Sequence, residues 1–103
     1  MVSPSSSGII SDFRQRLLAH IQAFRQYPAQ AQAERLQGRI DLAFVMTRSG
    51  AVLDIRILAG SGHLVLDQAA VDTILRAQPL PVVPLDMDTP LRVEIPVEFF
   101  LPR

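Results

Sequence analysis

Ser61, His63 and Asp67, in the stretch AGSGHLVLDQAA, are the residues whose types and spacing come nearest to a reactive site. A hydroxyl, an imidazole and a carboxylate are the parts of a nucleophile–base–orienter arrangement. Two glycines flank the serine and a helical pattern follows. That is also the general order of a phosphate cradle, because helix N-termini favour anions. Neither chemistry is completed. No Gly-Lys-Ser/Thr follows the glycines, and no dinucleotide fingerprint follows a parallel strand. Asp67 could face His63 only if the helix already included residue 63. It fits more simply in the first helical turn, where a negative side chain meets the positive end of the dipole. A hydrolase also needs an oriented base and an oxyanion hole, and no second cluster supplies them. The stretch is therefore expected to be a strand exit, with glycines at positive φ, leading into a helix with Ser61 or His63 near its cap. An enzyme acting through His63 and Asp67 is carried as one alternative.

Composition narrows the other classes. The 103 residues make one domain, and 49% hydrophobic against 19% charged residues suits a packed core. Ten Lys+Arg balance ten Asp+Glu, so the long-range field that recruits nucleic acid is missing. The absence of cysteine excludes a disulfide framework and a thiolate site. His20 and His63 lie far apart without metal-ligand spacing, so neither a metal nor a cofactor is expected, and His20 reads as a helix-boundary residue. No apolar run approaches the roughly 20 residues that span a bilayer. Residues 1–8, MVSPSSSG, read as a flexible linker end or an artificial boundary, with the domain over 9–103.

The elements that must position any site follow from periodicity. Ser11 and Asp12 can cap a helix whose apolar stripe is Phe13, Leu17, Ile21 and Phe24, with Leu18 beside them. Arg14, Arg16 and Arg25 read as solvated helix charges. Pro28 ends that helix and opens a short second one that Gly38 stops. Ile40, Leu42, Phe44 and Met46 then alternate with Arg39, Asp41, Ala43 and Val45, a half-buried strand. Ser49-Gly50 turns the chain into a second strand, whose face of Leu53, Ile55 and Ile57 should be covered. Leu66, Ala69, Ala70, Thr73, Ile74 and Ala77 form a helical stripe that can cover the sheet. Pro79, Pro81 and Pro84 make an extended connector.

The last stretch, LRVEIPVEFFL, alternates Leu91, Val93, Ile95, Val97, Phe99 and Leu101 with Arg92, Glu94, Pro96, Glu98 and Phe100. Pro96 has no N–H for a ladder, so this strand belongs at a sheet edge with position 96 facing outward. Residues 94, 98 and 100 would then offer their backbone groups outward. Phe99 belongs to the core face, and Phe100 is left on the opposite face as a contact for a partner or for the N-terminal segment. The order α-α-β-β-α-β predicts an α+β fold: a two-layer sandwich with a three-stranded antiparallel sheet and helices on one face.

Tyr27-Pro28 with its alanines, Gly38, Gly50, Ser61-Gly62, Leu66-Asp67 with Ala70, the proline-rich exit and the closing VEIPVEFFL occur in an order that resembles the C-terminal domain of TonB-type energy transducers. The resemblance covers roughly residues 27–101, and the helix before Tyr27 matches a variant with an extra N-terminal helix. It implies a periplasmic domain of a protein anchored in the inner membrane by a segment outside these residues and driven through ExbB and ExbD. The partner would be an outer-membrane TonB-dependent transporter for siderophores, haem, vitamin B12 or similar cargo. Its TonB box would add as a strand along Arg92, Val93, Glu94, Ile95, Pro96, Val97, Glu98, Phe99, Phe100 and Leu101. Gln26, Tyr27 and Pro28 would lie near the transporter. β-Augmentation suits such an edge, since main-chain bonds give affinity and side chains add specificity. A TolA-like envelope adaptor, or a similar domain serving another partner, is the alternative. The open edge also allows a homodimer.

Overall fold

The structure, a computed structural model, describes residues 4–102, and their side chains from Asp12 onward. The elements are α1 (Pro4–Ala23), α2 (Ala29–Ala33), β1 (Gly38–Met46), β2 (Val52–Ala59), α3 (Leu64–Arg76) and β3 (Leu91–Phe99). The three strands form one antiparallel sheet in the order β2-β1-β3. The expected α+β class and element order are both present.

The apolar stripes meet as their periods require. Phe13, Leu17 and Ile21 of α1 and Leu66, Ala70 and Ile74 of α3 lie in one core with Ile40, Leu42, Phe44 and Met46 of β1 and Val93, Ile95, Val97 and Phe99 of β3. Each fully buried Leu, Ile or Phe in such a core contributes about 1.5–3 kcal/mol of transfer free energy. Thr73 is the buried polar residue among them, and its hydroxyl donates to Ala69 O at 2.7 Å, so it carries no unsatisfied group. Ala43, on the opposite face of β1, is also buried, because β1 is the central strand and its neighbours flank it on both sides.

Four local expectations are corrected. The first helix does not begin at a Ser11–Asp12 cap: α1 starts at Pro4 and takes in residues 4–8 of the supposed linker, while residues 1–3 lie outside the described residues. Phe24 is not on the buried stripe. It lies just past Ala23, the last residue of α1, and stays 37% exposed against the His20 ring at 5.1 Å. Gly38 does not stop α2, which ends at Ala33; the chain reverses through Arg35 at φ 54°, with Leu36 N–H donating to Ala31 O at 2.8 Å. Gly38 instead opens β1.

The fourth correction concerns β2. Val52 and Ile55 stand opposite Met46 and Phe44 and are half-buried, but Leu53 is 60% exposed and Ile57 43%. Two register shifts, one at each end of the pair, leave Leu53 and Leu58 without a residue opposite them. Val52 and Ile55 are the β2 residues that pack against the core, while Leu53, Ile57 and Leu58 stay exposed.

The hairpin and the connector are joined more tightly than alternation alone indicates. Gly50 has φ 98°, and a Cβ there would lie 2.1 Å from Leu80 O. Leu80 N–H donates to Gly50 O at 2.9 Å and Val83 N–H to Arg48 O at 3.0 Å. The Arg48 guanidinium also donates to Pro84 O at 2.6 Å and Met87 O at 3.0 Å. The proline-rich connector is therefore pinned to the β1–β2 turn, with Leu80 and Val83 buried.

Candidate functional site

β3 is an outer strand with β1 on one side only. Its Val93, Ile95, Val97 and Phe99 side chains enter the core, while Arg92, Glu94 and Glu98 are exposed and Pro96 is half-buried. Pro96 stands opposite Asp41 in the β1 register. The carbonyls of Glu94 and Glu98 accept hydrogen bonds from Arg14 Nη1 at 3.0 Å and Arg25 Nη1 at 2.7 Å. Both arginines belong to α1 or the turn just after it, so these carbonyls point away from β1. In an antiparallel ladder the N–H and C=O of one residue point the same way and alternate with those of the next. Pro96, at the same parity, thus turns its missing donor to the free edge, where it breaks no ladder bond.

Arg14, Arg16 and Arg25 are all exposed, as expected of solvated helix charges; what periodicity does not report is that Arg14 and Arg25 also donate to the β3 backbone. Arg14 lies in α1 and Arg25 two residues past its end, so helical spacing alone does not pair them. What they touch lies 80 and 73 positions away, and no local pattern reports that.

Beside the Arg25–Glu98 contact a cleft of about 410 Å³ opens, lined also by Leu18, Ile21, Gln22, Pro96 and Phe100. Phe100 is 57% exposed there, whereas Phe99 is fully buried, as alternation predicts. Leu101 lies beyond the end of β3, and its N–H donates to Gln37 Oε1 at 2.8 Å. Gln26 is exposed, and Pro28 is the residue that precedes α2. Tyr27 is half-buried: its hydroxyl donates to Leu36 O and its ring meets Phe99 edge-on. The Arg25 guanidinium carbon lies 6.0 Å from the same Phe99 ring, within the range of a cation–π contact. The two candidate segments, 26–28 and 92–101, thus converge at the C-terminal end of β3.

The Ser61–His63–Asp67 stretch is built differently. Asp67 Oδ1 accepts from the Ser61 N–H at 2.9 Å and from Ser61 Oγ at 2.8 Å. His63 is the N-cap residue of α3 through its backbone, and its N–H donates to Ser61 Oγ at 3.1 Å. Among the described residues no hydrogen bond joins the His63 ring to Asp67. The carboxylate is spent on orienting the loop. Of the two flanking glycines only Gly62 has positive φ, 89°. Gly60 is required by proximity instead, since a Cβ there would lie 2.8 Å from Asp67 Oδ2.

Comparison with known proteins places these features in a family. Residues 24–101 match the family model described as Gram-negative bacterial TonB protein C-terminal. The protein TonB of Pasteurella multocida is 30% identical over 95 residues, covering 92% of this chain and 36% of that protein. The protein TonB of Haemophilus ducreyi is 35% identical over 85 residues, covering 82% and 29% respectively. The chain therefore spans about a third of the length of these relatives. The NMR structure of Helicobacter pylori TonB-CTD (residues 179–285) has the same fold, with a TM-score of 0.78 at 20% identity, over 100% of this chain and 97% of that one. A shorter form of it (residues 194–285) covers 84% of this chain with a TM-score of 0.66 at 23% identity.

Proposed function

The chain belongs to the Gram-negative bacterial TonB protein C-terminal family, and from that premise we propose that its β3 edge captures the TonB box of an outer-membrane TonB-dependent transporter as an added strand. The observation that carries this reading is the edge itself: an outer strand with the Glu94 and Glu98 carbonyls directed away from β1. An incoming strand would take its affinity from backbone bonds to residues 94–100 and its selectivity from the side chains that meet Pro96 and Phe100. Gln26, Tyr27 and Pro28, close to the C-terminal end of β3 through the Tyr27–Phe99 contact, would face the transporter next to the captured box.

In this reading the domain works in the periplasm and passes on energy of the proton-motive force, received through ExbB and ExbD, for uptake of siderophores, haem or similar cargo. Contact with ExbB and ExbD is assigned to sequence outside these 103 residues. Several backbone hydrogen bonds loaded together along one edge suit the transmission of a pulling force. The competing enzyme reading is disfavoured by the engagement of Asp67 with Ser61.

The test is a titration of the isotope-labelled domain with TonB-box peptides, followed through backbone amide shifts. The largest shifts are expected at Glu94, Glu98 and Phe100. If these amides stay still for every box peptide tried, the strand-addition reading is wrong.

A further inference from the structure

We propose that α1 guards the β3 edge, with Arg14 and Arg25 occupying from within the chain the backbone acceptors that an added strand uses, so that binding a partner requires their release. The inference rests on the reading of β3 as the partner edge. It concerns how that edge is kept until a partner arrives.

The geometry is matched over length. The two acceptor carbonyls, Glu94 O and Glu98 O, are four residues apart on β3, about 13 Å at the strand rise. Arg14 lies in α1 and Arg25 two residues past its end; the helical part of that span, from Arg14 to Ala23, covers about 14 Å at the helix rise, and the turn and two flexible side chains absorb the rest. Arg14 meets the earlier carbonyl and Arg25 the later one, so α1 and β3 run in the same direction along the edge. Pro96 lies between the two contacts and has no N–H to offer. The guarded stretch therefore presents two outward carbonyls that are already bonded and one position that cannot donate.

The contacts suit a guard rather than a permanent clamp. Both are exposed side-chain donors on backbone carbonyls, and exposed contacts of this kind are individually weak. What holds α1 in place is separate from them: Phe13, Leu17 and Ile21 are buried in the core. The guanidiniums can swing away while the helix stays packed. An unpaired strand edge also tends to pair with another copy of itself, and the same two side chains oppose that.

The test compares the wild-type domain with R14M/R25M, in which methionine keeps an aliphatic stem and good helix propensity but removes the donors. A TonB-box peptide is the probe, and R16M is the control on the same helix. The double variant is expected to bind the peptide about ten-fold more tightly, near three-fold per contact, and R16M to bind as wild type does. Binding of R14M/R25M that is equal to or weaker than wild type overturns the guard. If no TonB-box peptide binds either protein, it is the transporter reading that fails. The guard is then decided by sedimentation of the same two proteins: concentration-dependent self-association in R14M/R25M alone supports it, and identical profiles overturn it.

Discussion

The Tyr27 ring stands edge-on to Phe99, with centroids 5.3 Å apart and planes at 70°, while its hydroxyl donates to the backbone of Leu36. One side chain thus joins the bend after α1, the turn after α2 and the end of β3. Tyr27→Phe keeps the ring and orphans the Leu36 carbonyl, which should lower stability by about 1–2 kcal/mol. Phe99→Ala removes a fully buried ring and should cost about 3–5 kcal/mol. Urea unfolding midpoints at constant slope check both values.

Asp67 bonds to Ser61 twice, through the backbone N–H and the hydroxyl. Asp67→Ala leaves both Ser61 donors without their acceptor, removes the negative charge from the first turn of α3, and should destabilise the domain by about 1–3 kcal/mol. His63 serves through its backbone as N-cap, so His63→Ala should change stability by less than about 0.5 kcal/mol. Neither substitution should move peptide affinity when measured where both variants are folded. A loss of affinity in His63→Ala at full stability would return this stretch to the functional site.

Arg48 holds the connector through the carbonyls of Pro84 and Met87. Arg48→Ala should cost about 2 kcal/mol and raise amide exchange at Leu80 and Val83, whose N–H groups bond to the same turn. Gly50→Ala should cost more, because backbone strain of about 1–3 kcal/mol adds to the collision with Leu80 O. Exchange rates measured residue by residue distinguish a local opening of 79–87 from global unfolding.

Leu53 and Leu58 are 60% and 48% exposed. Leu53→Thr or Leu58→Thr should therefore alter stability by less than about 0.5 kcal/mol, whereas Leu42→Ala, in the fully buried centre of β1, should cost about 2–5 kcal/mol. Denaturation curves of the three variants test whether β2 is as uncovered as its register shifts make it. A large loss in either leucine-to-threonine variant would mean that something does cover that strand.

The alternation of β1 and β3 and the stripe of α3 were legible because they are consequences of local geometry: side chains repeat every two residues in a strand and every 3.6 in a helix. Leu66, Ala70, Thr73 and Ile74 lie buried where that period places them, and Phe99 and Phe100 part to core and surface as alternation requires. Element ends were less legible. Pro4, Ala33 and Arg35 carry no periodic mark of where α1 starts or why α2 stops, and the bulged positions of β2 mimic continuing alternation.

By itself the sequence determined the element types, the buried faces of β1, β3 and α3 and, through Pro96, that the last strand must lie at an edge, because a residue without an N–H cannot sit inside a ladder. Tertiary structure alone decided what meets that edge. Arg14 and Arg25 look like ordinary exposed helix residues until the core seats α1 alongside β3 and brings their donors to carbonyls 80 and 73 residues away. Periodicity encodes which face of an element is apolar; it does not encode which neighbour the polar flank of that face will touch. The same holds for Asp67, whose first-turn position was readable but whose partner, Ser61, was settled by the path of the loop.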